Sequence, residues 1–223
     1  GVSTLAKLLN PKIKVIAVEP AGAACLKASL EAGEVTTVSK INTIADGTAV
    51  QTPGDKLFPY LQANVDHVIT VDDSELTLSF LDMAENHKMI VENSGLLTVA
   101  ALKHLDFKGK KVVSVLSGGN MDVLTMATVV QNGLMQRDRI FTVSVMLPDK
   151  PGQLAAVSSL IAKEQGNVIK LEHNVFANVN RTAGVELTIT LESFGTEHKD
   201  QIIKALEAAG YCPVITKTNG IYM

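Results

Sequence analysis

Apolar positions follow two different patterns along the chain, and the change between them falls near residue 136. Up to that point, short β-branched runs alternate with stretches of helical periodicity, which is typical of parallel βαβ units. The predicted strands are Val15–Val18, His67–Val71, Met89–Val91 and Lys111–Leu116, and the predicted helices cover about 21–32, 73–87, 96–105 and 122–131. The pattern predicts an α/β domain whose parallel sheet is covered by helices on both faces.

A second domain is predicted after the helix stop Asn132-Gly133 and the polar stretch 136–139. Its apolar positions alternate from residue 140, as expected for a half-buried strand. The predicted elements are strands over 140–147, about 167–176, 184–192 and 212–216, and helices over 154–164 and 196–209. This βαββαβ order is the ferredoxin-like arrangement, so the predicted domains are 1–136 and 140–223.

The composition excludes several classes of protein. Hydrophobic residues make up 46% and charged residues 19% of the 223 positions, which predicts apolar cores and excludes a mostly disordered chain. The 20 basic residues are scattered and the net charge is -3, so we expect no nucleic-acid surface. The longest uncharged stretch, 123–136, is shorter than the ~20 apolar residues of a membrane span. Cys25 and Cys212 lack the spacing of a zinc cluster or a disulfide framework, which favours a cytoplasmic location.

The first residues read as a helix that is entered partway along. Leu5, Leu8 and Leu9 share one face, and the chain opens on Gly1 instead of Met. We therefore expect the chain to be the C-terminal part of a longer protein.

The segment Ser117-Gly118-Gly119-Asn120 is the strongest candidate for a binding loop. It follows a predicted parallel strand and precedes a helix, and open α/β sheets bind ligands at that edge. Glycines allow close approach of the backbone, the serine hydroxyl can donate or accept, and the next helix offers free N–H groups. A tight turn without a ligand explains the same residues equally well. The spacing is neither a Walker loop nor GxGxxG.

Four motifs in one order resemble the C-terminal half of the serine/threonine dehydratases. They are Val18-Glu-Pro20, Thr43-Ile-Ala-Asp-Gly-Thr-Ala-Val50, Val91-Glu-Asn-Ser-Gly95 and Leu116-Ser-Gly-Gly-Asn120. That family consists of pyridoxal-phosphate enzymes with the tryptophan-synthase β fold, and the resemblance covers Gly1 to about Gln136. The second unit, with Asp149-Lys-Pro-Gly-Gln-Leu154 and Gly166-Asn-Val-Ile169, resembles an ACT domain, a small-molecule sensor. The layout is similar to that of the medium-length threonine ammonia-lyases.

The resemblance implies a set of cofactor-binding residues. It places the Ser117 hydroxyl against the pyridine nitrogen, with Gly118, Gly119 and Asn120 shaping that wall of the pocket. It also places the Gly47 backbone near the ring and Glu92 behind the pyridine edge. From the residues alone, Asp46-Gly47 is more simply a turn and Glu92 a solvated carboxylate. The sequence departs from the family at Asn93, where proline is common.

Two further features of the family are missing or incomplete. The lysine that holds the cofactor and the glycine-rich phosphate loop are expected upstream of Gly1, so no catalytic residue is assigned in this chain. Some relatives bind a divalent cation through positions that correspond to Glu19, the Ala23 carbonyl and Cys25. A thiol is a poor ligand for Mg²⁺ or Ca²⁺, so we expect no cation there and a structural role for Glu19.

The second unit contains a candidate effector site where its first strand turns into its helix. Gly152 removes a side chain beside helical N–H groups, and Gln153 and Leu154 follow it. Asp149 is suited to an ammonium group, and Asn167 could reach a ligand across a dimer interface. The alternative is that Asp149 and Asn167 only cap a turn and a strand entry.

The resemblance implies pyridoxal-phosphate-dependent conversion of L-threonine to 2-oxobutanoate and ammonia, regulated by an amino acid through the ACT domain. It also implies a homodimer or homotetramer. Two alternatives remain open at this point. One is a non-catalytic module that binds amino acids and dimerises. The other keeps the fold but catalyses serine racemisation or β-replacement.

Overall fold

The computed structural model describes residues 1–174 and 184–218, which form two compact units that divide after Val129. Val175 and Phe176, the last residues of one predicted strand, lie outside the described part. None of the helices in the described part combines the length and apolar character that a bilayer span requires.

The first unit is built around a pair of parallel strands with helices packed against it. Strands β1 and β2 pair in register from Ile16 opposite His67 to Pro20 opposite Val71. The core beside them is made of buried aliphatic and aromatic side chains, among them Leu76, Phe80, Leu96 and Val71. The elements are α1 (Val2–Leu9), β1 (Ile16–Pro20), α2 (Cys25–Ala32), α3 (Phe58–Asn64), β2 (His67–Val71), α4 (Asp73–Asp82) and α5 (Leu97–Ala100). The division after Val129 falls within the next helix, α6 (Val123–Gln136).

Two of the four strands predicted for this unit do not form. Residues 89–91 and 111–116 have no ladder partner among the described residues, and a strand is defined by such a partner. Their apolar side chains are largely exposed: Ile90 is 46% and Val113 is 87% accessible. Segment 111–116 is held through side chains, since Thr98 donates to the Val115 carbonyl at 3.0 Å and Ser114 to the Thr98 carbonyl at 3.2 Å. Helix α3, which begins with a proline at its second position, was not predicted.

The predicted helix stop at Asn132-Gly133 is also wrong, because α6 continues through both residues to Gln136. The chain leaves the helix just beyond Gln136, at Asp138, whose φ of 53° lies in the left-handed region. The N–H groups of Asp138 and Arg139 donate to the Met135 and Leu134 carbonyls, which closes the last turn as a Schellman motif does. A glycine inside a helix costs only ~1 kcal/mol, so packing overrides it.

The second unit confirms the predicted βαββαβ order. Its antiparallel sheet has the strand order β4-β5-β3-β6, and Val143, Val145, Leu187 and Ile189 lie in the core against both helices. The inward alternation of apolar residues on β3 and β5 explains this burial. The elements are β3 (Ile140–Leu147), α7 (Gln153–Lys163), β4 (Asn167–Asn174), β5 (Val185–Glu192), α8 (Thr196–Ala208) and β6 (Val214–Thr216).

Candidate functional site

Three segments that are far apart in the sequence meet in the first unit: the turn at Asp46-Gly47, the turn at 92–95 and the loop at 117–118. Their contacts are made at glycines. A Cβ built on Gly47 would stand 2.9 Å from Ser94 Oγ and 3.8 Å from Glu92 Oε1. The structure therefore brings Gly47, Glu92 and Gly118 of the predicted site together, and it adds Ser94.

Gly118 has the closest contact in this cluster. Its φ is +80°, and a Cβ there would lie 2.0 Å from Glu92 Oε1 and 2.1 Å from Glu92 Cδ. Only glycine adopts this backbone conformation readily and also leaves that space free. The Glu92 carboxylate thus lies directly on the Gly118 backbone.

The loop at 117–118 is held by contacts with the turn at 92–95. The Glu92 N–H donates to the Gly118 carbonyl at 3.3 Å. A Cβ on Gly95 would stand 1.8 Å from the Ser117 carbonyl oxygen, so the two backbones touch. The glycine of the Glu-Asn-Ser-Gly motif is required for this approach, a reason that the sequence alone does not reveal.

Ser117, Gly119 and Asn120 belong to the same loop. All three are exposed, and the Ser117 hydroxyl has no hydrogen-bond partner in the described part of the chain. Asp122 begins the helix beyond them: its carboxylate accepts the Thr125 N–H at 2.8 Å and the Thr125 hydroxyl at 3.1 Å. These bonds lower the pKa of Asp122. The loop thus carries the exposed Ser117 hydroxyl and leads into a helix whose first turn is capped by Asp122.

Two buried polar atoms in the site have no partner in the described residues, and sequence reasoning missed both as binding groups. They are Ser94 Oγ and Asn93 Oδ1. Asn93 is only 5% exposed. A buried acceptor or hydroxyl without a partner costs free energy, and such atoms are frequent where a ligand completes the bonding. This part of the structure therefore combines close glycine contacts with two buried polar atoms that have no partner among the described residues.

The chain resembles known proteins in both of its units. Residues 1–118 match the family described as "Pyridoxal-phosphate dependent enzyme". The chain belongs to the pyridoxal-phosphate dependent enzyme family. Residues 141–210 match the ACT domain, as expected for the second unit.

Curated relatives and solved structures agree with this assignment. The chain is 35% identical over 220 residues to an L-threonine ammonia-lyase from Geobacter sulfurreducens, covering 97% of the chain and 54% of that protein. It thus spans about half the length of this relative. The processed threonine deaminase isoform 2 of Solanum lycopersicum matches with a TM-score of 0.54 and 29% identity, over 59% of this chain and 39% of that one. Maize serine racemase matches with a TM-score of 0.53 and 36% identity, over 57% and 42%.

In this member of the family Glu19 caps a helix. Its two carboxylate oxygens accept the N–H groups of Leu26 and Lys27, each at 2.8 Å, in the first turn of α2. The Cys25 thiol lies 3.8 Å from the same carboxylate. Burial and the neighbouring Glu19 charge raise the pKa of Cys25, which keeps it a neutral thiol. The carboxylate is therefore engaged by the helix, which is a structural role for Glu19.

The predicted effector residues of the ACT domain surround the start of α7. Gly152 precedes that helix with a φ of +91°, and no atom lies within 4 Å of a Cβ built on it. Asp149 and Leu154 are exposed, and Gln153, the first residue of α7, is half-buried. Asn167 is paired within the chain, since its Nδ2 donates to Glu192 Oε2 at 3.1 Å.

Proposed function

We propose that these residues form part of a pyridoxal-phosphate-dependent threonine ammonia-lyase, which converts L-threonine to 2-oxobutanoate and ammonia. The observation that carries the proposal is the convergence of Gly47, Glu92, Ser94 and Gly118 from three separate segments. The family assignment and the L-threonine ammonia-lyase relative support it. The reaction needs a lysine and a phosphate-binding loop, which the resemblance places before Gly1.

Each residue of the cluster has a physical role in this proposal. Gly47 and Gly118 let the backbone approach Ser94 and Glu92 closely, because a Cβ at either position would clash with those side chains. Ser117 would donate a hydrogen bond to the ring nitrogen. A hydroxyl partner leaves this nitrogen largely unprotonated, whereas a carboxylate partner would hold a proton on it. Gly119 and Asn120 would complete the wall.

Pyridoxal phosphate supplies an electron sink that stabilises negative charge at the substrate α-carbon. A weakened sink suits the loss of a β-hydroxyl, which needs less carbanion stabilisation than transamination. The unpaired Ser94 hydroxyl supports a bound polar group, because a ligand would satisfy an atom that the protein leaves without a partner.

Titration of the 223-residue chain with pyridoxal phosphate tests the pocket. We expect saturable binding by absorbance and fluorescence, because one wall is present. Sodium borohydride, which fixes a lysine-bound coenzyme covalently, is expected to leave none attached by mass spectrometry. Covalent attachment to a lysine of this chain would contradict the expectation that the catalytic lysine lies elsewhere. Absence of any saturable binding would favour the non-catalytic module.

Product analysis distinguishes the lyase from its relatives with other reactions. The match to maize serine racemase makes racemisation the second candidate. With the lysine-containing protein, threonine is expected to give 2-oxobutanoate and ammonia in equal amounts. Racemised serine without ammonia would refute the lyase proposal, and a β-substituted product would indicate β-replacement.

The ACT domain completes the proposal as a sensor of an amino acid. The open space at Gly152 and the exposed Asp149 carboxylate support a ligand with both a carboxylate and an ammonium group. A ligand there regulates the reaction only if it binds two states of the protein with different affinities. We further propose a homodimer or homotetramer, and a cytoplasmic location, for which the free thiols of Cys25 and Cys212 are the support.

A further inference from the structure

The residues from Thr43 to Gly47 form a loop that is held by side chains from two other elements. Asp73, the first residue of α4, accepts the Ile44 N–H at 3.0 Å and the Thr43 hydroxyl at 2.7 Å. Asn93 Nδ2 donates to the Ile44 carbonyl at 3.1 Å. Both backbone polar groups of Ile44 are therefore bound by side chains, one from each side of the loop.

The same bonds determine where Gly47 stands. The Thr43 hydroxyl also accepts the Ala45 N–H at 3.1 Å, and the Thr48 hydroxyl donates to the Ala45 carbonyl at 3.0 Å. Ala45 is fully buried between these bonds. Only two residues separate Gly47 from Ile44, and the first of them, Ala45, is held by both of these bonds.

We propose that Asn93 is a positioning residue: together with Asp73 it clamps the Ile44 peptide and so holds Gly47 against Ser94 and Glu92. Asn93 stands where proline is common in the family, and proline has no side-chain donor for the Ile44 carbonyl. All the hydrogen bonds of the clamp join residues of this chain. The importance of the clamp for coenzyme binding rests on the proposed function, whereas the clamp itself is independent of that function.

Hydrogen exchange of the 223-residue chain, without coenzyme, tests the clamp directly. Asn93→Ala removes the donor, and the amides of residues 44–49 are expected to exchange about fivefold faster, as for the loss of one net hydrogen bond. Asn93→Pro, which introduces the family residue, is expected to do the same. Asn64→Ala is the matched control, since Asn64 Nδ2 donates to the Tyr60 carbonyl at 2.8 Å outside this loop. It should leave residues 44–49 unchanged.

Asp73→Asn and the double variant with Asn93→Ala show whether the two residues act together. Residues that bind one peptide are coupled, so their effects on exchange at 44–49 should not add. Unchanged exchange in Asn93→Ala, or additive effects, would refute the clamp. If Asn93→Ala does not fold, Asn93→Ser replaces it, because serine keeps a donor but has a shorter reach. We then expect faster exchange at residues 44–49 with an unchanged denaturation midpoint. Faster exchange throughout the chain would refute the clamp.

Coenzyme titration of the same variants separates this inference from the proposed function. Faster exchange at 44–49 together with severalfold weaker pyridoxal phosphate binding supports both. Faster exchange in a chain that binds no coenzyme supports the clamp and removes the proposed function. Weaker binding with unchanged exchange would show that Asn93 contacts the coenzyme itself and would overturn the positioning role.

Discussion

At the scale of the residue, the contact between Gly118 and Glu92 makes the sharpest prediction. Gly118→Ala places a Cβ 2.0 Å from Glu92 Oε1, so the carboxylate or the loop must move. We expect pyridoxal phosphate binding to weaken at least ~10-fold, or ~1.4 kcal/mol, because the wall is displaced. Fluorescence titration of the 223-residue chain measures this.

The control for this variant is Gly109→Ala. Gly109 also has a positive φ, +73°, but nothing lies within 4 Å of a Cβ built on it. Both variants therefore carry the backbone strain of an alanine in the left-handed region, which costs ~1–2 kcal/mol. Equal coenzyme affinities in the two variants would argue against a role for the Gly118 wall.

The sequence reveals the individual residues of the site only in part. Ser117 and Gly118 stand out because a Gly-Gly pair after an apolar run is unusual in local structure. Ser94 gives no such signal, since a serine near a helix start has an ordinary capping explanation. Its place beside Gly47 depends on a contact between residues 47 positions apart, which periodicity does not encode.

At the scale of the element, Asp66 joins α1 to the start of β1. Its carboxylate accepts from Lys7 Nζ at 2.6 Å, from the Val15 N–H at 2.8 Å and from Lys14 Nζ at 3.1 Å. The Lys7 hydrogen bond, followed by that of Val15, holds the pKa of Asp66 well below its usual range. A lowered native pKa stabilises the fold above the unfolded pKa of ~3.9, and this contribution is lost as the pH falls toward the native value.

Asp66→Asn is therefore expected to lower the urea midpoint at pH 7, with the difference from the parent shrinking at pH 3 and below. Asp55→Asn, at an exposed aspartate, serves as the control and should not change the midpoint at either pH. A difference that stays constant between pH 7 and pH 2 would contradict an ionic role for Asp66.

His198 connects α8 to the end of α7 in the ACT domain. Its Nδ1 accepts the Phe194 N–H at 3.0 Å, its Nε2 lies 2.6 Å from the Glu164 carbonyl, and its ring stacks on Phe194. His198→Ala removes two hydrogen bonds and is expected to destabilise this unit by ~1–2 kcal/mol. Thermal unfolding measures the loss. His173→Ala, at an exposed position of β4, should cost far less.

The sequence predicted a strand correctly where its apolar alternation coincides with neighbouring strands that can pair with it. Strand β3 pairs with a neighbour on both sides, whereas the β-branched run 111–116 has no ladder partner among the described residues and forms no strand. Strand propensity reflects packing against neighbours, so the sequence of one segment does not decide it. Helix α6 likewise continues through Asn132 and Gly133, although these residues predict a helix end.

At the scale of the whole molecule, the ACT domain should respond to an amino acid independently of the coenzyme. Isoleucine or valine in large excess is expected to raise the melting temperature of the 223-residue chain, because a ligand that binds only the folded state stabilises it. Gly152→Ala should reduce this shift, since its side chain enters the open space at α7.

Gly210→Ala is the matched control in the same unit. Gly210 has a φ of +87° and open space around it, so it carries the same strain away from α7. An equal ligand-induced shift in both variants would place the effector elsewhere. No shift with any amino acid in the parent chain would remove the reason to describe this domain as a sensor.

A change of periodicity and the polar stretch 136–139 predict two units, and the structure divides the chain after Val129. The packing of the segments inside the first unit was harder to predict from the sequence. It depends on backbone contacts between turns that are distant in the sequence, of which Gly95 against Ser117 is the clearest. No local sequence pattern indicates which segment packs against a given glycine.

The close approach of Glu92 to Gly118 also constrains the order in which this pocket can change during evolution. A side chain at 118 is tolerated only after residue 92 has been shortened, so the two positions form an epistatic pair. In a random library, survivors with asparagine at 118, a residue that accepts the left-handed conformation, should carry a second-site suppressor at 92.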